Sequence, residues 1–300
     1  MLHDDGELFE KLILKTSESL GINPKIVELD YCKTLFLQKL VLTKPGIVLK
    51  GGTSLSKCYH LTKRFSDDID LNIEGTAQPT SGQRRRLSNN IKQTALQLGL
   101  TIANSKDIQC QREFNRFRID TGSILPIAHN NDLIIEVASF LRSYPCRQKP
   151  AASFIYEYLA LNRKWAIIEK YNLEPFPVTV QSAERTFIDK LFALGDYYIE
   201  NRIKNHSKHL YDLHKLYPVI VIDDNLVSLY NSVKHDRSLQ RTCPSAKEGE
   251  DLKLCLQEIL DSDAYRNDYN NTTGRLVRDD VSYEATKKTL QSIINSRLFC

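Results

Sequence analysis

The chain has 300 residues, 41% of them hydrophobic and 26% charged, enough to bury a core and long enough for two domains or one large one. Its 41 basic and 37 acidic residues nearly cancel, leaving +4, a balance that permits a nucleic-acid partner without requiring one. The seven cysteines show no paired short spacing and no apolar run approaches a bilayer span, which argues against a disulfide framework, a zinc site or membrane insertion and predicts a soluble cytoplasmic protein.

Leu8, Phe9, Leu12 and Ile13 predict a short amphipathic helix over 7–14. Asn23 and Pro24 form a cap and first-turn pair for a second helix, with Leu29, Cys32, Phe36 and Leu40 at helical spacing and Pro45-Gly46 closing it. Ile47-Val48-Leu49 then suits a buried strand ending at Lys50. Gly51 and Gly52 break that strand, and helix-compatible residues follow over 54–61. The product is a strand, a glycine turn and a helix, whose free N–H groups favour an anionic oxygen such as a phosphate.

Downstream, Asp68-Ile69-Asp70-Leu71 alternates acid and apolar, so a strand there presents both carboxylates on one face. Two acids held so close call for a cation, and magnesium or manganese takes carboxylate and phosphate oxygens together. Either feature alone is commonplace: Gly-Gly before a helix recurs in α/β proteins, and Asp-x-Asp at a strand end is often a solvated edge. Their joint order is far more specific. A P-loop is excluded, because Ser56 precedes Lys57 where that loop needs glycine.

The run Lys50-Gly51-Gly52-Thr53-Ser54-Leu55-Ser56-Lys57, with Arg64-Phe65-Ser66-Asp67-Asp68-Ile69-Asp70-Leu71, resembles the first motif of the AbiEii/AbiGii-type nucleotidyltransferase toxins, a branch of the polymerase-β-like superfamily. Glu28-Leu29-Asp30-Tyr31 is similar to the corresponding helix of that family. The resemblance implies an α+β fold: a nucleotidyltransferase core with a mixed sheet flanked by helices, and a mainly helical C-terminal domain.

Further along, residues 75–82 read as a polar loop, and Leu87, Ile91, Ala95 and Leu98 define a helix with Arg84-Arg85-Arg86 at its start. Those arginines suit either a solvated face or a phosphate backbone. Arg116 and Arg118 fall on one face of a strand with Phe117 and Ile119 on the other, and they too read as surface or substrate contacts. In the apolar run 132–140, Glu136 is the only charge at the centre of a strand expected to be interior. A carboxylate there needs a cation, a hydrogen-bond network or a proton, and a structural ion pair is the plainest of these.

The polar stretch 145–150 is the expected domain boundary, giving a core domain over 1–145 and a mainly helical domain over 146–300 that completes the nucleotide site. Residues 152–171 read as helix, and Ser182 caps a helix over 183–198 with Phe187, Leu191 and Leu194 inward and Lys190 beside them. A lysine there usually snorkels at the edge of an apolar stripe. Yet the segment 184–194 resembles the family's second motif, with Asp189 where the family commonly has Glu. Segment 207–216 resembles a further motif, with Lys208 where arginine is common, and Lys208 and Asp212 lie one helical turn apart. Without the resemblance that pair reads as a surface ion pair, and His209 and His214 read as structural or surface. Beyond Pro218 the sequence shows only short apolar pieces and two further helices, over 252–260 and 285–298.

The resemblance, which runs over about 28–216, implies a metal-dependent enzyme that moves nucleotides from a nucleoside triphosphate (NTP) to an acceptor with release of pyrophosphate. Asp68, Asp70 and Glu136 are implied as ligands of Mg2+ or Mn2+. Lys50, Gly51, Gly52, Thr53, Lys57, Ser66, Lys190 and Lys208 are implied as nucleotide contacts, and Asp212 as the residue orienting Lys190 or the nucleotide. It implies a growth-inhibiting toxin of a toxin–antitoxin or phage-defence system, with a cognate antitoxin partner and the 3′ end of tRNA as acceptor. Two alternatives stay open: a protein or small-molecule acceptor, and an inactive nucleotide-binding module.

Overall fold

The computed structural model describes residues 1–43, 46–66, 68–75, 78–110, 112–122 and 132–299. Pro45, expected to close the second helix, and Asp67 of the first motif lie outside them. The described residues divide into two compact units: Met1–Cys58 with Ser66–Val180, and Tyr59–Phe65 with Gln181–Cys300.

In the first unit, α1 (Gly6–Leu20) and α2 (Pro24–Leu42) lead into β1 (Ile47–Lys50). The start of α2 follows from its residues: the Lys25 N–H donates to the Asn23 side chain at 2.9 Å and Pro24 stands in the first turn. After β1 come α3 (Gly51–Lys57), β2 (Asp68–Ile73) and α4 (Ser81–Gln97), then β3 (Thr101–Ile102), β4 (Phe114–Asp120) and β5 (Leu133–Ala138). The unit ends with β6 (Cys146–Ala151), α5 (Phe154–Leu161), α6 (Trp165–Tyr171) and β7 (Phe176–Gln181). Among the described residues the strands form one mixed sheet in the order β3-β4-β5-β2-β1-β7-β6.

Ile69 and Leu71 on β2, Ile135 and Val137 on β5, and Phe117 and Ile119 on β4 alternate onto one face and are buried, with α2 against β5 and α4 against β2. Burying that face drives assembly. It leaves the other face of the same strands to carry the charged residues.

The compact units do not divide after residue 145. The polar stretch expected as a break forms β6, which with β7 extends the sheet, so the first unit continues to Val180. The single helix expected over 152–171 is two, broken at Asn162–Lys164 where Arg163 adopts φ +53°.

The second unit is helical: α7 (Ala183–Ile199), α8 (Lys208–Leu216), α9 (Asp224–Ser238), α10 (Leu252–Asp261), the short turns α11 (Arg266–Asp268) and α12 (Gly274–Leu276), and α13 (Tyr283–Ile294). Ser182 caps α7 as expected, its side chain accepting the Arg185 N–H at 3.2 Å. Phe187, Leu191, Leu194, Leu210, Leu213, Leu290 and Ile293 are buried in its core. Among the described residues no helix is long and apolar enough to cross a membrane.

Candidate active site

The pairing register gathers the charges of the first unit's outward sheet face. Lys50 on β1 stands opposite Asp70 on β2, Asp70 opposite Glu136 on β5, and Glu136 opposite Arg116 on β4. One row across four strands thus reads cation, acid, acid, cation, with Asp68 two residues from Asp70 on the same face. The Lys50 Nζ reaches along the row to the Ala138 carbonyl at 3.4 Å.

Gly51 shapes this row. Its φ is +69°, and a Cβ placed there would lie 2.0 Å from Asp70 Oδ2, so the backbone of the glycine turn occupies the space beside that carboxylate. Lys50 provides no side-chain cap for α3. Thr53 is turned inward, its hydroxyl donating to the Asp68 carbonyl; this ties the glycine helix to the acid strand. Gly52 is buried in the same turn. The Ser66 carbonyl accepts from Lys33 Nζ.

Lys57 is not brought to this face. Its ammonium is buried against Asp30 Oδ1 at 2.5 Å, the Thr34 hydroxyl at 2.7 Å and the Ala152 carbonyl at 3.2 Å. The other Asp30 oxygen accepts the Phe154 N–H at 2.8 Å. Lys57 is therefore a bolt between α3 and α2 rather than a phosphate contact. Its partner Asp30 was legible only as part of a family-like segment; an acid at a buried helix position is the signal that could have found it.

The donor set on β2 suits a hard divalent cation, since two carboxylates on one strand face, one of them against the glycine turn, offer oxygen ligands only. Among the described residues no three His, Cys, Asp or Glu side chains converge as a metal-holding group. The carboxylate of Glu136 stands 3.4 Å from Arg116 Nε, with about a quarter of its side chain exposed.

The second unit holds a separate polar centre. Asp212 on α8 has a fully buried side chain, yet receives Arg64 Nε and one terminal guanidinium nitrogen at 2.7 Å each, and Lys190 Nζ at 2.8 Å. Burial pushes this carboxyl up, but Arg64 and then Lys190 outweigh it and hold the group well below the ordinary carboxylate range. Asp212 thus fixes the Lys190 ammonium. Lys208, one turn away on α8 and half-buried, is not its partner. Arg64 is the residue the sequence reading quoted without a role; a cation in a short loop beside a motif gives no sign that it will be 5% exposed. Tyr211 braces the same segment, accepting the Lys63 N–H at 2.9 Å and donating to Asp279 at 2.7 Å.

Asp189, which stands where the family commonly has Glu, pairs with Arg185 at 3.2 Å and Arg237 at 3.2 Å. Elsewhere in this unit Tyr197, His206 and His209 stack, with ring centroids 3.4 Å apart for Tyr197–His206 and 5.8 Å for Tyr197–His209. Burial first, then Lys208, lowers His206 to about 4, and burial lowers His209 well below its ordinary value.

The fold is α+β, a mixed sheet flanked by helices. Among solved structures it is similar to MenT4, a nucleotidyltransferase toxin from Mycobacterium tuberculosis H37Rv, with a TM-score of 0.56 at 19% identity over 95% of this chain and 88% of that one. The family model described as nucleotidyl transferase AbiEii toxin, type IV toxin–antitoxin system, matches residues 35–292, and the chain belongs to that family. It is a nucleotidyltransferase toxin of the type IV toxin–antitoxin class. No curated protein sequence matches it significantly.

Proposed function

We propose that the protein transfers a nucleotide from an NTP to the 3′ end of a tRNA in the cytoplasm, with release of pyrophosphate, and so inhibits growth until a cognate antitoxin intervenes. The observation that carries this reading is the placement of Asp68 and Asp70 on one face of β2, with the Asp70 carboxylate seated against the backbone of Gly51. The tRNA, the antitoxin and a role in phage defence are supported by family membership alone.

Asp68 and Asp70, with Glu136 as third acid, would hold Mg2+ or Mn2+. Such an ion supplies charge neutralisation at the phosphate oxygens and acidifies the attacking hydroxyl. The chain's own residues do the rest. Main-chain N–H groups at Gly51, Gly52 and Thr53 donate to the triphosphate oxygens, where the αL turn lets backbone approach closely. Lys50, Ser66 and Lys208 orient or neutralise phosphate oxygens. Lys190, its ammonium held by Asp212, donates to a phosphate as negative charge grows on the departing pyrophosphate. One bond forms, from the acceptor oxygen to the α-phosphorus; one breaks, from that phosphorus to the bridging oxygen; the hydroxyl proton leaves to a carboxylate and then to water.

The test is transfer of label from each of the four NTPs to total tRNA by purified protein with magnesium, beside the Asp68→Ala, Asp70→Ala double variant. Wild-type labelling of tRNA, lost in the variant by at least a hundredfold, roughly 3 kcal/mol in barrier, is the expected result. Label moving only onto protein or a small hydroxyl compound would replace the acceptor. No transfer at all, with no growth inhibition that the double variant lacks, would leave a nucleotide-binding module.

A further inference from the structure

β4 presents Phe114, Arg116, Arg118 and, at its end, Asp120 on its outward face, and the transfer chemistry uses none of them. Phe114 is 48% exposed, and the side chains of Arg116 and Arg118 are 53% and 57% exposed, while Asn115, Phe117 and Ile119 on the other face are buried. β5 pairs with Phe114 to Ile119, while β3 reaches only Ile119 and Asp120, so these side chains stand on an open face near the margin of the sheet. The Phe114 ring is thus left half in water, in line with the two guanidinium groups.

The row has a geometry relative to the acids. Same-face residues on a strand lie about 6.7 Å apart, so Phe114, Arg116 and Arg118 form an evenly spaced line. Arg116 is opposite Glu136 and Glu136 opposite Asp70, which sets the line about 10 Å from the acid strand β2, two strand spacings away. Each guanidinium is oriented by one acid: Arg116 Nε lies 3.4 Å from Glu136 Oε1, and Arg118 donates to Asp132 Oδ2 from Nε at 2.8 Å and from a terminal nitrogen at 2.6 Å. A guanidinium has five N–H donors in a planar fork. One carboxylate uses only part of that fork, so donors remain for an incoming anion.

We propose that the outward face of β4 docks the single-stranded end of a nucleic-acid acceptor, with phosphates on Arg116 and Arg118 and a base stacked on Phe114, so that the terminal hydroxyl reaches the acid row. The inference rests on the transferase reading of Asp68 and Asp70. Glu136, beside its place in the acid row, is also the group that aims Arg116. An exposed ring in line with two exposed arginines matches the chemistry of unpaired strands, whose bases are free to stack and whose phosphates take guanidinium forks. A duplex hides its base faces and would use the arginines alone.

The experiment measures binding of the full chain to a short labelled single-stranded RNA, and to the same strand in a duplex, by fluorescence anisotropy over a salt series. Arg116→Ala with Arg118→Ala is expected to weaken single-strand binding by at least tenfold. It should also flatten the dependence of log K on log salt by about 1.4, two contacts at about 0.7 each. Phe114→Ala is expected to weaken binding about tenfold, the effect of one lost stack, with the slope unchanged. Arg241→Ala with Lys288→Ala, both exposed on the helical unit, is the charge-matched control and should change neither.

Equilibrium dialysis of labelled NTP is run on every variant, and NTP binding should persist in all of them. Should the double alanine variant lose its thermal transition, Arg116→Lys with Arg118→Lys, which keeps charge but not the fork, and Phe114→Ala decide the matter. Unchanged affinity and slope in the arginine variants overturn the inference, as does a wild-type preference for duplex or labelling of protein alone. Wild-type protein that neither binds NTP nor transfers label overturns instead the transferase reading beneath it.

Discussion

Gly51 shows how a single atom can be excluded by a neighbouring carboxylate. Its positive φ and the Asp70 oxygen 2.0 Å from any Cβ act together. In Gly51→Ala the atom struck is the far end of a side chain, so the collision is relieved by moving the carboxylate. The expected outcome is about 1 kcal/mol or more of lost stability and a far larger loss of transfer rate; a variant with normal rate in the label-transfer assay would detach Asp70 from the chemistry. At the other polar centre, Arg64→Ala strips a fully buried carboxylate of its two-pronged partner. Breaking such a pair costs about 3 to 5 kcal/mol, readable as a lower midpoint in urea denaturation. Arg64→Lys should recover part of it, because charge returns but the fork does not. The sequence reading found Asp212 and Lys190 through motif likeness; it could not find Arg64, whose partner lies 148 positions away.

At the scale of elements, α3 illustrates a motif whose residues divide between chemistry and construction. Gly51 faces Asp70, while Lys57 at the far end bolts the helix to Asp30 on α2 and Thr53 ties it to the start of β2. Both lysines of the motif had been assigned to phosphates from sequence, because a lysine in a glycine-rich run is read that way and its burial cannot be seen. Lys57→Ala leaves Asp30, 1% exposed, without its cation. The variant should be less stable by about 3 to 5 kcal/mol, with an unchanged KM for NTP in the folded protein. A raised KM at unaltered stability would return Lys57 to the phosphates. The elements with strong local grammar, the Asn23-Pro24 start, the alternation of β2 and β4 and the Ser182 cap, were legible. β6 was not: Cys146–Ala151 carries charge and two prolines lie in or beside it, and only pairing within the sheet makes it a strand.

For the molecule as a whole, acidification should be felt through the stack of Tyr197, His206 and His209. His206 titrates at about 4 when folded against about 6.5 unfolded, lowered by burial first, then by Lys208, Arg202 and Lys190 against the opposing pull of Asp268. Between those values the unfolded chain binds more protons, so stability rises with pH there. The contribution is complete above about 6.5 and is lost as pH falls towards 4. Thermal melts of the full chain should drop in Tm across that window, and His206→Gln should flatten the drop; parallel curves would assign the acid sensitivity elsewhere.

Sequence by itself determined the acid strand, the glycine turn and the capped helix starts, because these are local rules written within a few neighbouring residues, and motif likeness added the class of protein. Tertiary structure alone decided which charges meet: that Asp70 and Glu136 share a row with Lys50 and Arg116, that Asp212 holds both Arg64 and Lys190, and that Lys57 is spent on Asp30. The physical reason is that a charge pair forms across space, between residues whose separation along the chain carries no periodicity, and burial, which sets its strength, is a property of the whole fold.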